Sequence, residues 1–305
     1  MNFCFQFGCP SAGLTRGSDS LALSLPNPVI AGTGRELWAE DVRLRCERAP
    51  LTLWRQGAEL WGVGLVPVGG GLRDSARRLY RDIFQATRQV SLYRIWNFVP
   101  HINEADVELE NYRAFCQGRA LAFDEFFGDQ SEPRMPAASA VGTRGDALCV
   151  AFLAGPDPVR HVENPHQVPA YRYPSRYGPR APSFARASVV EGERGLRLYV
   201  SGTASIRGSD SLHPGDVTAQ LELALENLHE VTRAAGAGDS LEEGRAGKRL
   251  FRLYLRHPEQ WAAARAVLHQ RLLRDGDVWS VVQADICRRE LLVEIDGARI
   301  LDNPA

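Results

Sequence analysis

Lysine is almost missing from this chain. Lys248 is the one lysine among 36 basic residues, so arginine carries nearly all the positive charge. That bias fits GC-rich coding, and no single arginine is read as functional on that ground. With 37 acidic residues the net charge is -1, which removes the basic footprint expected of a nucleic-acid binder. No apolar run approaches the ~18 residues that would mark a membrane span, so none is expected. The opening Met-Asn-Phe-Cys-Phe-Gln-Phe-Gly-Cys-Pro lacks the basic start and long apolar core of a secretory leader. The six cysteines, Cys4, Cys9, Cys46, Cys116, Cys149 and Cys287, contain no C-x-x-C pair. Neither a zinc site nor a disulfide framework is indicated, and a reducing cytoplasm is the expected compartment. No H-x-x-x-H or His/Asp cluster argues for a metal. Gly69-Gly70-Gly71 is a bare turn without the G-x-G-x-x-G or P-loop pattern that cradles phosphates.

What is present is order that repeats. Hydrophobic content of 44% and charged content of 24% over 305 residues suit one large globular domain or two ordinary ones. In the second half a strand at 195–206 precedes a helix at 216–234, with Leu221, Leu223, Leu225, Leu228 and Val231 near helical period. Asp216 sits at its first turn, where a carboxylate meets the positive helix end. The glycines after Ala234 end it. A strand at 249–255, a helix at 258–273 opened by Pro258, and a hairpin of 278–287 with 291–300 complete the unit. The first half gives the same order: strand 58–67, helix 73–89, strand 91–98, helix 107–127 with Val107 and Leu109 on its inner face, then strands 136–142 and 147–154.

Both halves therefore read β-α-β-α-β-β. The expected fold class is α/β (α+β), with two such units packed sheet to sheet and helices on the outer faces. The expected division is 1–155 for the first unit, 156–194 for a strap, and 195–305 for a second unit carrying the active site. The first ~50 residues read as an irregular extension with one or two strands. Gly155–Pro182 holds seven of the 18 prolines together with Tyr171, Tyr173 and Tyr177. Interleaved Pro and Tyr indicate an ordered strap rather than a free linker.

Four collinear segments carry a family resemblance. They are Tyr93-Arg-Ile-Trp-Asn-Phe-Val-Pro-His-Ile-Asn103 with Tyr112-Arg113 and Gly118-Arg119, then Pro136-Ala-Ala-Ser-Ala-Val-Gly142, then Gly178-Pro-Arg-Ala-Pro-Ser-Phe-Ala-Arg186, then Ser201-Gly-Thr-Ala-Ser205 with His213-Pro-Gly-Asp216. In this set the chain resembles the chorismatases, which split chorismate into pyruvate and a cyclic carboxylic acid. The resemblance spans about residues 60–300. It implies a Rid/YjgF-like architecture, chorismate as small-molecule substrate, and no metal or organic cofactor. The product would be a dihydroxycyclohexadiene acid, 3-hydroxybenzoate, or a mixture of 3- and 4-hydroxybenzoate.

Chorismate carries an enol ether and two carboxylates. Protonating the terminal enol carbon needs a general acid that keeps its proton near neutral pH, a role that a buried carboxyl can fill. Glu294 interrupts the apolar run Leu291-Leu-Val-Glu-Ile295 and is the candidate. A turn centred on Arg289-Glu290 would pair Cys287 with Leu292 and put Cys287 and Glu294 on one face, about 7–8 Å apart. The resemblance places the catalytic Glu in this hairpin, and a Cys at position 287 in hydroxybenzoate-forming members. Two substrate carboxylates call for guanidinium groups. Arg186 and Arg180 are the candidates, with Tyr173 as hydroxyl donor, and Arg134 and Arg94 stand behind them. Ser201, Gly202, Thr203 and Ala204 would form a pocket wall of small residues. A Gly is expected at position 204 in strict 3-hydroxybenzoate formers, so Ala204 beside Cys287 favours the mixed product.

His101 and His213 are read as setting loop geometry. Rid-like imine hydrolysis would need an Arg where Trp279 falls. A catalytically silent binding protein on the same fold is the alternative from another class. Pteridine-dependent redox chemistry has no motif to support it. The duplicated chain is expected to be a monomer.

Overall fold

The computed structural model describes residues 1–106, 109–192, 195–237 and 247–301. Its first sixty residues are mostly strand, not irregular extension. β1 (Asn2–Phe7), β2 (Gly13–Arg16), β3 (Ser20–Leu25), β4 (Val29–Gly32), β5 (Arg35–Ala39), β6 (Arg43–Arg48) and β7 (Leu51–Gln56) precede the first repeat unit. β1 runs parallel to β3 and antiparallel to β5 in a four-stranded sheet of order β2-β3-β1-β5. Its Phe3, Phe5, Leu23 and Leu25 are fully buried. Strands this short, broken by glycine and aspartate turns, hold too few periods to be counted from sequence.

The first unit keeps the expected order. It consists of β8 (Glu59–Pro67), α1 (Leu72–Thr87), β9 (Ser91–Pro100), the two-residue strands β10 (Ala105–Asp106) and β11 (Leu109–Glu110), α2 (Asn111–Phe127), β12 (Ala137–Thr143) and β13 (Ala147–Gly155). α2 starts later than expected. Leu109 lies in the short strand before it, and Val107 lies outside the described residues.

The chain then passes through β14 (Val159–Val162) and β15 (Ala187–Gly192) into the second unit. There β16 (Gly195–Ala204) is followed by the two-residue strands β17 (Ile206–Arg207) and β18 (Asp210–Ser211), then α3 (Val217–Ala234), β19 (Gly247–Leu255), α4 (Trp261–Arg271), β20 (Val278–Gln283) and β21 (Val293–Leu301). Asp216 caps α3 by accepting the Ala219 N–H at 3.0 Å. Between β14 and β15 the strap carries only short turns, at Ala170–Arg172 and Ser175–Tyr177. His101 and His213 both adopt positive φ, 47° and 57°, as residues that shape turns.

Strand order corrects the expected hairpin. The second sheet runs β14-β15-β16-β21-β19-β20-β4, so β20 and β21 are not neighbours. β20 pairs parallel with β19 across the α4 crossover, and β21 slots antiparallel between β16 and β19. The first sheet, β12-β9-β13-β8-β7-β6, is built alike, with β13 between β9 and β8. The helix between β19 and β20 forces the parallel crossover, and that leaves the central slot for the last strand.

Three cores result. α1 and α2 cover the outer face of the first sheet around Leu79, Ile83, Phe84 and Phe123. α3 and α4 cover the second around Leu221, Leu225, Leu228 and Leu268. Between the sheets lies a seam of Trp61, Trp96, Phe98, Leu250 and Tyr254, joined by the phenylalanines of β1. No helix among the described residues is long and apolar enough to cross a membrane.

Candidate active site

A cavity of about 530 Å³ opens where the two units meet. Glu294 forms part of its lining. β21 holds it opposite Ala204 on one side and Tyr254 on the other, in the middle of the sheet. The residue is only 4% exposed, and its Oε1 has no hydrogen-bond partner. Burial pushes its carboxyl up to about 8, with Asp296 adding to the rise and Arg94 and Arg186 opposing it. Such a group carries a proton at neutral pH.

The strand beside it is bent to fit. β16 and β21 shift register between Val200 and Thr203, where β16 carries one residue more than its partner. This bulge turns Gly202 toward the carboxyl. A Cβ at Gly202 would collide with Glu294 Oε1. Gly202 and Ala204 line the cavity. Ser201 and Thr203 do not, contrary to expectation. Ser201 Oγ accepts the Ala138 N–H at 2.8 Å and donates to the Ala185 carbonyl at 2.6 Å, tying three segments together. Thr203 Oγ1 donates back to the Ser201 carbonyl. Alternation along the strand sends these two side chains to the other face.

Of the two candidate arginines, one reaches the cavity. Arg186 is 6% exposed and donates to the Tyr173 hydroxyl at 2.7 Å, and both residues line the cavity. Arg180 instead pairs with Asp124 at 2.6 Å on the surface of α2 and is not part of the lining. Arg134 packs over Phe127 away from the site, and Arg94 is committed to Asp296 in the seam.

Arg119 was noted in the sequence only within the family resemblance and was given no role in the site. It is 2% exposed, lies over the Tyr80 ring, and lines the cavity. Its Nε and Nη2 are buried without a hydrogen-bond partner. A buried guanidinium in that state is built to receive an anion. The signal was Gly118. A Cβ there would strike the Arg73 carbonyl, so glycine lets α2 press against α1.

Cys287 lies in the loop between β20 and β21, not on a strand. It nevertheless shares the cavity with Glu294. Burial first, and then Glu294, raises its thiol to about 12, so it is a neutral wall and not a thiolate. Facing it from α2 are Tyr112 and Cys116. Ala138 and Ser139 of β12 also contribute. The cavity therefore draws on the first unit as well as the second. Among the described residues no group of three metal-ligating side chains is found.

Fold and cavity define a two-unit α/β protein with a buried, proton-holding carboxyl in an arginine-lined pocket. Comparison with known proteins makes this specific. The family model "Chorismatase FkbO/Hyg5-like, N-terminal" matches residues 36–154. A 3-hydroxybenzoate synthase of Streptomyces hygroscopicus is 35% identical over 302 residues, 95% of this chain and 88% of that protein. A chorismatase of Streptomyces rapamycinicus is 40% identical over 248 residues, 78% of this chain and 73% of that one. A crystal structure of a chorismatase superposes with a TM-score of 0.85 at 32% identity, covering 97% of this chain and 92% of the other. The chain belongs to the chorismatase family, and it is an enzyme.

Proposed function

We propose that the enzyme converts chorismate to pyruvate and hydroxybenzoate, with Glu294 as general acid. The observation that carries this is a neutral carboxyl buried in a cavity with Arg119 and Arg186. The two guanidinium groups take the two carboxylates of the substrate. Tyr173, already bonded to Arg186, adds a hydroxyl to that side. Glu294 gives its proton to the methylene carbon of the enolpyruvyl ether. The ether carbon becomes an oxocarbenium centre, and the bond from oxygen to the ring weakens. Chorismic acid has the composition of pyruvic plus hydroxybenzoic acid, so the overall change consumes neither water nor an oxidant. The departing ring proton can return Glu294 to its acid form.

Ala204 and Cys287 border the ring position and set where the remaining oxygen ends up. With the ether oxygen gone into pyruvate, the neighbouring ring hydroxyl either stays on its own carbon, giving 4-hydroxybenzoate, or closes onto the carbon the ether has left and reopens there, giving 3-hydroxybenzoate. Each route loses one ring proton. Their combination supports formation of both 3- and 4-hydroxybenzoate. Trp279 packs on Trp261 and His269 and is absent from the cavity lining, so the site has no guanidinium there for imine hydrolysis. With both units in one chain, the monomer is the proposed active form, working in the cytoplasm.

The test is purified enzyme with chorismate, and a chelator present. Pyruvate is followed by a coupled assay and aromatic acids by chromatography. Pyruvate with both hydroxybenzoates is the expected result. 3-Hydroxybenzoate alone would correct the role given to Ala204. Absence of pyruvate above background would overturn the reading.

A further inference from the structure

Directly behind the cavity lies a cluster of charged groups that the reaction itself does not use. Asp296 sits two residues beyond Glu294 on β21, on the same face, and is fully buried. Its Oδ2 accepts from Arg94 at 2.9 Å, from Ser139 at 2.6 Å and from the Tyr254 hydroxyl at 3.2 Å. Arg252 lies opposite Asp296 on β19 and donates to Tyr254 at 2.8 Å. Its guanidinium grips Glu36 of β5 in a two-point ion pair, with Nε to Oε1 at 3.0 Å. Arg94, Arg252, Glu36 and Asp296 are each no more than 2% exposed.

The charges balance. Two guanidinium groups meet two carboxylates, all four buried from bulk solvent that would screen them. A third carboxylate, Glu294, has no counter-charge left in this cluster. We propose that Glu36 and Asp296 are positioning residues for the catalytic proton: by neutralising Arg252 and Arg94 they deny Glu294 a cation and keep it in its acid form. This rests on the reading of Glu294 as general acid.

The other groups around Glu294 fit this balance. Arg186 faces it from the strap, with Glu163, whose carboxyl burial pushes up to about 7, 3.9 Å from that guanidinium as a partial counter-charge. From the loop before β21 come the neutral Cys287 thiol and Arg288, which donates to Ser209 and Ser211 and lies over the Tyr177 ring. Glu290 is held by Ser211. From α2 come neutral Tyr112 and Cys116, Arg113 paired with Glu110, and Arg119, left open for substrate. Arg289 bonds the Asn103 carbonyl. β16 presents only Gly202 and Ala204. The raised Glu294 and an Arg94 drawn down by burial to about 10, still cationic near neutrality, agree with the count.

The test uses opposite signs. Glu36→Gln leaves Arg252 unbalanced, so Glu294 should ionise more readily. The alkaline limb of kcat should then move down by about one pH unit, a tenfold effect on the limb. Arg252→Met leaves Glu36 unbalanced, and the limb should move up. Glu36→Asp should restore the parent profile. A merely structural defect lowers kcat alike at every pH. Limbs that stay put, or move the same way in both variants, overturn the proposal. Should either variant fail to fold, the infrared carbonyl stretch of the protonated carboxyl is read in the parent, with Glu294→Gln as the blank. The band is expected to persist through pH 7, and its loss well below that overturns the proposal. A fully active Glu294→Gln would instead sink the general-acid reading and not the charge count.

Discussion

Glu294 keeps its proton because it is buried, and ionising it there would place a charge beside Asp296 among groups already paired with one another. Glu294→Gln preserves shape and removes the proton. It is expected to lower kcat by ~10²–10⁴-fold, the usual worth of general acid catalysis, with little change in KM. The same residue ties stability to pH. The folded chain holds this proton up to about 8, whereas the unfolded carboxyl ionises near ~4.3. Across that window the unfolded state binds fewer protons, so rising pH removes about 1.4 kcal/mol of native stability per unit through this group. Glutamine has no such linkage. Melting curves of the two proteins should coincide in acid and separate as pH rises, with the variant the more stable. Equal curves at all pH would mean that Glu294 is ionised in the fold. Arg119→Met should raise KM by about 10–100-fold, the worth of a charged hydrogen bond or two, and it should fold normally, since Nε and Nη2 give up no protein acceptor. Glu294 was legible in the sequence because a lone carboxylate broke an apolar run. Arg119 was not, because one arginine in an arginine-rich chain looks like any other until Gly118 draws its helix inward.

At the scale of elements, the bulge in β16 decides whether the acid and the substrate can share the cavity. Gly202→Ala places a methyl group where Glu294 Oε1 now lies. Alanine suits a strand at least as well as glycine, so the fold should survive while the carboxyl is turned aside. The expected result is a kcat loss of at least tenfold with a melting temperature close to the parent's. Retained activity would show that Glu294 works from a second rotamer. Sequence periodicity found β16, β19, β20 and β21 as strands but paired the last two wrongly. Neighbours in sequence usually pair, and Arg288-Arg289-Glu290 reads as a turn. The parallel crossover through α4 depends on the whole sheet, which no local window contains. Cys287 and Glu294 meet in the cavity even so: Ile286 bridges to Val141 of β12, which holds the loop before β21 against the first unit beside the cavity. The Ser201 and Thr203 readings failed for the converse reason. Residues alternate between the two faces of a strand, and a run of small residues does not announce which of them face the ligand.

Across the whole molecule, the repeat was readable because each unit carries its own alternation of periods. The N-terminal strands were not, since their apolar residues gain meaning only against the seam. That seam joins the units through buried charge as well as apolar packing. Arg94 of the first unit pairs with Asp296 of the second, and Arg197 of β16 pairs with Glu59 of β8. Arg252 of β19 pairs with Glu36 from the N-terminal sheet. Separating the units would break these pairs across the seam and open the apolar side chains around them to water. The units should therefore not unfold one at a time. Calorimetry is expected to give a single transition in which the calorimetric and van't Hoff enthalpies agree, despite a length at which two independent domains are common. Glu59→Ala leaves Arg197 with only the partly exposed Asp157 at 2.5 Å, and it should lower the melting temperature of that one transition without splitting it. Two resolved transitions would mean that the seam is a docking surface between autonomous halves. The cavity, which takes Arg119 from one side and Glu294 from the other, would then come apart before either half melted, and activity would be lost in the first transition. If the seam is a core, activity and structure are lost together.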